Sequence, residues 1–457
     1  MRSDIIIIGA GASGLMAAYS AAATLIDKGS SASVTLLEKM PRAARKVMIT
    51  GKGRCNYTNL KSWQDFSPHI RSGSAFVRSA FHSLSPQSLV DFFASWGLES
   101  VVERGDRVFP SSHRASDVVD TLVNICLGKG VKIEYEACVQ SVEKTPDGFS
   151  LTLSDSRKYL CRKLILATGG LSYPSTGSSG DGFLWAKALG HTITPTFPSL
   201  TALVPKGYKL TESKDRHIDR STPLSELGEK LCGVQLKNIE LSLNIGEQKT
   251  ETLFGDIDFT DGGLEGPLGF QLSRKAVKAM INGAKVCLKL DLKPGVELTE
   301  LTQRVLQLWK EVDADPRSKR LREKEKCRIL LGKLMPWDLI PAFTQMNPGI
   351  MTLQRISRTK TKLWVNLNSI AACLKSWVFP IDGYVGYERA VVTAGGVSLD
   401  EVVSKNLSSK LCPCLYLCGE VLDIDADTGG YNLQLAFCTG SLAGRSAAIS
   451  LLSSDSC

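Results

Sequence analysis

At 457 residues, with 43% hydrophobic and 22% charged side chains, the chain has an ordinary globular composition and is too long for one core, so two or three domains are expected. These figures exclude a disordered, collagenous or disulfide-scaffold protein. No segment reads as long and apolar enough to span a bilayer, and Ile5 to Ile8 is followed by a phosphate-loop pattern rather than a cleavage site, so a cytoplasmic protein with no membrane partner is expected. The formal charge of +9 suits phosphate-bearing ligands or nucleic acid, and equally a well-solvated surface, so its distribution has to decide.

The first stretch, DIIIIGAGASG from Asp4 to Gly14, reads as a strand buried on both faces followed by glycines at G-x-G-x-x-G spacing. Gly9 permits a sharp turn, Gly11 lets a pyrophosphate approach the backbone, and Gly14 lets the following helix pack on the strand. Ala12 and Ser13 lie between them, where free amides of a helix start attract an anion. Val34 to Leu37 reads as a second buried strand ending in Glu38, 24 positions after Gly14, where an acid accepts the hydroxyls of a ribose. Together they predict dinucleotide binding.

Lys39 and the polar loop Pro41 to Asn59 follow, with Arg45, Lys46 and Arg54 among its cations. The loop leaves the strand that ends at the ribose, which favours folding over an anionic cofactor, with Gly51 and Gly53 allowing close approach. Helical apolar spacing covers Ser85 to Trp96 and Ser116 to Cys126. Val131 to Glu143, which includes Val139, Phe149 to Leu153 and Lys158 to Ala167 suggest a small antiparallel meander feeding a buried strand. That strand closes on Ala167, Thr168 and Gly169, a second small-residue approach to a dinucleotide.

After Pro195 the rhythm changes to strands of a separate β-rich domain, interrupted by a Gly-rich loop from Asp261 to Gly269. Leu298 to Val312 is an amphipathic helix pattern. Arg317 to Lys333 then holds eight basic residues against two acidic ones, and helical spacing puts Arg317, Arg320 and Lys324 near one face. Such a run reads either as a solvated face or as a phosphate-contacting surface for RNA. Val391 to Val397 looks like a return into the first domain. Leu415 to Leu417 runs into Gly419 and Glu420, and Gly429 and Gly430 precede a small-residue helix beginning near Tyr431 and Asn432, whose start again faces a ligand. The expected division is 1–195 with 375–457 as the nucleotide domain, 196–295 as the inserted β-rich domain and 296–374 as a basic helical subdomain. The thirteen cysteines lack disulfide-framework spacing and read as reduced thiols, with no metal site.

GAGASG with Glu38, GKGRCNYTN, LATGGLSYPSTGSSGDG, VVTAGGV and GEVLDIDADTGGYNLQ stand in the order and spacing of the BaiN/YhiN-like flavoproteins, also grouped as aminoacetone-oxidase-family FAD-binding enzymes, and the chain resembles them. The resemblance implies an α/β fold: a glutathione-reductase-like Rossmann FAD domain built from both chain ends, with an inserted β-rich domain and a small helical subdomain. It implies FAD as cofactor, with NAD(P)H as a transient electron donor. It places Gly53, Arg54, Cys55 and Asn56 near the flavin ring, Gly419 and Glu420 near the ribityl chain, and Gly430, Tyr431 and Asn432 near the pyrimidine side. Cys55, the one thiol in a motif at the flavin edge, is the candidate proton donor, against the alternative of an inert structural thiol.

One motif departs from the family pattern. FTHxGLSGP is FTDGGLEGP here, Phe259 to Pro267, with Asp261 for His and Glu265 for Ser, which removes the basis for a proton-transfer role at that His. Some members of the family act on small molecules, while others resemble enzymes that reduce a uridine of large-subunit ribosomal RNA to dihydrouridine. The basic segment favours ribosomal RNA as partner. A small-molecule flavin oxidase or reductase, and a non-catalytic FAD-binding protein, are the other two readings.

Overall fold

Ile5 to Ile8 are fully or almost fully buried because the strand Arg2–Ile8 has a parallel neighbour on each side: Val34–Leu37, in register Ile5 with Val34, and Lys158–Leu166, in register Ile8 with Leu166. A strand covered on both faces has no use for alternation, so its apolar run is continuous. The computed structural model describes residues 1–211, 215–355, 357 and 361–453. The chain divides into two units, Met1–Ser199 with Ala390–Cys457, and Leu200–Arg389.

In the first unit, parallel strands run Lys132–Glu134, Val34–Leu37, Arg2–Ile8, Lys158–Leu166, with Leu415–Leu417 pairing parallel to the far end of Lys158–Leu166. The near end of that long strand pairs antiparallel with Gly148–Leu153, which pairs with Val139–Thr145. This is a Rossmann-type sheet with a meander, completed by a strand from the C-terminal part of the chain. Two helices from opposite ends of the sequence pack on it, Ala12–Asp27 and Tyr431–Leu452. A Cβ at Gly440 would fall 2.2 Å from the Ser13 carbonyl oxygen, and one at Gly444 would fall 2.1 Å from that of Ala17, so this contact is closed to any larger residue.

Tyr431–Leu452 is long and apolar enough to cross a membrane by length and composition, which corrects the expectation that no segment is. Its residues are largely buried against the first helix and the sheet, so the apolarity is that of a core helix. Among the described residues eleven cysteines carry free thiols, whereas Cys414 is disulfide-bonded, so the reading of all thirteen as reduced fails at that residue.

The second unit has a seven-stranded sheet in the order Leu203–Pro205, Gly263–Glu265, Gln248–Thr260, Gln235–Ile245, Val286–Asp291, Trp377–Val385, His217–Ile218, and Leu203–Pro205 also pairs with Trp377–Val385. That extra pairing bends the sheet into a barrel-like closure, with Gly266–Ile281 burying Leu268, Leu272, Val277 and Met280. The expected loop from Asp261 to Gly269 is instead a turn, the strand Gly263–Glu265 and the start of this helix.

The chain returns to the first unit at Ala390, not near 375, because Trp377–Val385 is a central strand of the second sheet and Trp377 is fully buried there, 5.1 Å from the Phe343 ring. The helices Leu298–Ala314, Glu323–Gly332, Ile340–Met346 and Leu367–Lys375 belong to this same unit. Leu292 N donates to Leu374 O at 2.9 Å, tying the last of them to the sheet.

Candidate functional site

Four of the predicted motifs, those of Gly9, Glu38, Thr168 and Gly419, follow the C-terminal ends of parallel strands in the first unit. Gly9 N donates to Leu37 O at 2.8 Å, Ala167 N to Ile8 O at 3.0 Å, and Cys418 N to Leu166 O at 3.0 Å. These bonds bring Gly9, Glu38, Thr168 and Gly419 onto one edge of the sheet, where ligands of open α/β sheets bind.

Gly9 has φ 101°, and its Cβ would lie 2.6 Å from Ala167 O, while a Cβ at Gly14 would lie 1.8 Å from Gly9 O. Strand, turn and helix therefore touch with no room to spare. At Gly11 the situation is opposite: nothing lies within 4 Å of its Cβ position. It is also the N-cap of Ala12–Asp27, and no side chain caps that helix. Open space at Gly11, at a helix start that no side chain caps, is what a pyrophosphate needs to approach the backbone.

The Glu38 carboxylate is buried and accepts from Ala10 N at 2.7 Å and Met40 N at 2.9 Å. Burial pushes its pKa up, against those backbone donors and the nearby Lys39. The acid is thus fixed one strand away from the glycine turn, the placement that ribose recognition requires. Lys39 is held by Asp181 at 2.6 Å.

Ala44 N donates to Ala10 O at 2.8 Å, which ties the basic loop to the glycine turn and carries Arg45 and Lys46 with it. Arg45 is half-buried and makes no hydrogen bond or ion pair among the described residues. Lys46 joins Glu420, whose other oxygen accepts from Ser172 Oγ and Thr393 N, each at 2.7 Å. Ser172 and Thr393 were not singled out from the sequence, although both stand inside motifs quoted for the family. Thr393 Oγ1 also accepts from the amides of Leu171 and Ser172 at 2.8 and 3.1 Å. Gly419 lies over Ser13, since its Cβ would fall 2.4 Å from Ser13 Oγ. Val139 is a buried strand residue and Gly169 has φ 73°.

Around the GRCN motif the backbone is left-handed at Gly51, Lys52, Gly53 and Cys55, an uncommon cost for the non-glycine positions. Asn56 comes out of this turn with a buried Oδ1 that has no hydrogen-bond partner. A Cβ on Gly430 would fall 2.9 Å from that atom, so the turn and the start of Tyr431–Leu452 meet there. Gly429 and Gly430 both have positive φ.

Other predicted residues take different tasks. Arg54 donates to Glu103 Oε1 at 2.8 Å and lies 4.3 Å over the Phe109 ring. Asn432 spends its amide on the preceding loop, accepting from Ala426 N and donating to the carbonyls of Ala426 and Asp427. Tyr431 is buried, stacked on His69 at 4.3 Å and edge-on to Phe66 at 4.8 Å. Beneath it lies a cluster the sequence did not announce: buried Asp427 accepts two bonds from Arg71, at 2.6 and 2.9 Å, and one contact from His69 at 2.9 Å.

Cys55 fits the alternative reading, an inert structural thiol, better than the proton donor: its side chain is fully buried, and burial pushes the thiol up to about 12.

These residues fit FAD. The uncapped helix start, the fixed Glu38, the half-buried Arg45 and the Asn56 Oδ1, which has no partner among the described residues, would supply an anion cradle, a ribose acceptor, a cation and an unmet hydrogen-bond acceptor.

In the second unit, the two residues that depart from the family motif converge on one guanidinium. Arg389 meets Asp261 Oδ1 at 2.6 Å, both carboxylate oxygens of Glu265, and Thr260 Oγ1 at 3.1 Å. Burial opposes ionisation of Asp261, but Arg389 outweighs it and holds the carboxyl below its usual range. At neutral pH this carboxylate has no proton to give.

The basic segment is not one helix face. Pro316–Ser318 is a short 3-10 turn capped by Asp315, and the helix begins only at Glu323. Arg317 is withdrawn by Asp315, through contacts of 3.1 and 2.9 Å. Arg322 pairs with Glu325, Lys326 with Asp313, and Lys333 lies 3.9 Å from Glu311. Among the described residues, Arg320 and Lys324 are exposed and meet no carboxylate, as do Lys319 and Arg328, which were not singled out from the sequence; Arg328 lies 5.7 Å from the Trp337 ring centroid. Arg358 and Lys360, which follow this segment in the sequence, lie outside the described residues.

Comparison with known proteins follows the same lines. The family model described as "HI0933-like protein Rossmann domain" matches residues 3–446. A 3-dehydro-bile acid delta(4,6)-reductase of Clostridium scindens is 31% identical over 442 residues, covering 97% of this chain and 98% of that protein. Ribosomal RNA dihydrouridine synthases of Haemophilus influenzae and Escherichia coli are each 28% identical, over 442 and 438 residues, and each alignment covers 95% of this chain and 96% of the relative.

Proposed function

The chain belongs to the HI0933-like family of Rossmann-domain proteins and is an FAD-dependent oxidoreductase, and from that premise we propose that it uses NAD(P)H to reduce a carbon–carbon double bond, that of a uridine in large-subunit ribosomal RNA. Bound FAD supplies the two-electron hydride relay between a nicotinamide and an electron-poor double bond. The chain's own residues hold the cofactor: the amides of Ala12 to Gly14 bind the pyrophosphate, Glu38 accepts the ribose hydroxyls, and Arg45 neutralises phosphate charge. No second complete G-x-G-x-x-G unit occurs, so the nicotinamide visits the flavin face transiently. Product formation takes one hydride and one proton.

The observation that carries the RNA reading is the exposed, unpaired group Lys319, Arg320, Lys324 and Arg328, for which a small apolar substrate gives no reason. A second reading rests on the 31% identity to the bile acid reductase: reduction of a conjugated small-molecule enone at the same flavin. The test is to incubate the holoenzyme with NADPH or NADH and ribosomal RNA lacking dihydrouridine, then map the modified nucleotide. Dihydrouridine at a defined uridine supports the proposal. Its absence, with turnover of a steroidal enone, replaces it by the second reading.

A further inference from the structure

We propose that the helical part of the second unit carries a stacking surface for unpaired RNA bases at Trp337, with Lys319, Arg320, Lys324 and Arg328, on and just before the helix that ends against it, as phosphate contacts. This rests on the RNA reading and adds to it which face binds and what form of RNA fits.

An indole is a costly group to leave in water, yet Trp337 is 51% exposed while its neighbours Leu339, Ile340 and Phe343 are buried. Its position is built. The six-membered ring lies against Gly332, where a Cβ would come within 2.4 Å, and the Arg328 guanidinium sits 5.7 Å from the ring centroid. Lys324 stands one helical turn before Arg328 on Glu323–Gly332, so the two project from the same side. The strand Thr361–Val365, which packs against this helix, carries a second exposed indole, Trp364, 54% accessible.

The charges are sorted in a way that leaves a net attraction. Among the described residues of the segment, Arg317, Arg322, Lys326 and Lys333 face local carboxylates, and the other four cations are unpaired. A polyanion therefore meets Arg328 at the exposed indole, Lys324 one turn before it, and Lys319 and Arg320 ahead of the same helix. That combination suits a single strand, whose bases can stack on an indole and whose phosphates follow the cations. A duplex, with its bases already stacked, has no use for the ring.

The experiment uses the full-length holoenzyme and a fluorescent, short, mixed-sequence oligoribonucleotide, with its duplex as competitor, and reads anisotropy across a salt series. The single strand should bind better than the duplex. Trp337→Ala should weaken binding about 5- to 150-fold, and Trp337→Phe should restore most of it. Lys324→Ser and Arg320→Ser should each flatten the log–log salt slope by about 0.7. These lysine and arginine side chains hold nothing else, so their effect stands even if Trp337→Ala disturbs folding. If the single strand binds but all these variants keep wild-type affinity and slope, the platform is elsewhere and the RNA reading survives. If the duplex is preferred, stacking is wrong. If the wild-type protein binds no RNA, both fall.

Discussion

Gly11→Ala separates the fold of the phosphate loop from its chemistry. Gly11 has φ −79° and ψ −171°, extended backbone that any residue adopts, and its Cβ would find nothing within 4 Å. A methyl group there costs a little as a helix N-cap and returns a little by restricting the unfolded chain, so the apoprotein's stability should change by no more than about 1 kcal/mol. The same methyl occupies the space through which a pyrophosphate reaches the helix amides. Losing one charge-assisted hydrogen bond costs about 1.5–3 kcal/mol, so FAD affinity should fall about 10- to 150-fold. Fluorescence titration of FAD into apoprotein gives the affinity, and thermal unfolding of the same preparation gives the stability. Gly14→Ala is the opposite control: its Cβ would lie 1.8 Å from Gly9 O, so the fold itself should fail. Wild-type FAD affinity in Gly11→Ala, with the fold intact, would refute the placement of the pyrophosphate.

Arg389→Met should destabilise the second unit by about 3–5 kcal/mol, because it strands the Glu265 carboxylate, only 10% exposed, without its partner; a loss below about 1 kcal/mol in urea unfolding would show that Glu265 finds another donor. Asp261, 58% exposed, contributes no more than about 1 kcal/mol. Its folded pKa is lowered, so that stabilisation is present above the unfolded carboxyl's pKa and disappears as pH falls through the lower folded value. Wild type and Asp261→Asn should therefore differ near neutrality and converge in acid, and a difference that grows in acid contradicts the pairing. Cys55→Ala should retain turnover within about twofold with FAD bound, whereas removing a true general acid costs about a hundredfold or more; steady-state kinetics distinguishes the two.

The nucleotide edge was legible because its chemistry is backbone chemistry. Gly9 and Gly14 are specified by a turn and a close approach that only glycine allows, Gly11 by its spacing between them, and Glu38 by its distance along one βαβ unit, so all are local in sequence. What Lys46, Glu420, Ser172 and Thr393 do was not legible, since one network draws on four segments that only the folded sheet brings together. Arg317 illustrates another limit. Charge counting placed it on a helix face, but Asp315 and Pro316 make a capped turn that neutralises it. The strand Trp377–Val385 was assigned to the wrong side of a boundary because a run of buried residues does not say which sheet buries it. Asp261 and Glu265 looked like two separate losses from a family motif; only the structure shows that Arg389 couples them.

The glycine contacts between Ala12–Asp27 and Tyr431–Leu452 also bear on how the protein is made. Ser20 and Ser441, hydrogen-bonded across that seam, are 421 positions apart. A ribosome adding roughly 5–20 residues per second needs roughly 20–80 s to cover that interval. Throughout it the first helix and the strand Arg2–Ile8 exist without the partner that buries their small-residue face. The nascent cofactor edge therefore waits, incomplete, while the whole of the second unit emerges and folds as an insertion. Truncations near the C-terminus should strike the N-terminal nucleotide loop as hard as mutations within it, and chaperone dependence should track the lifetime of that half-built sheet.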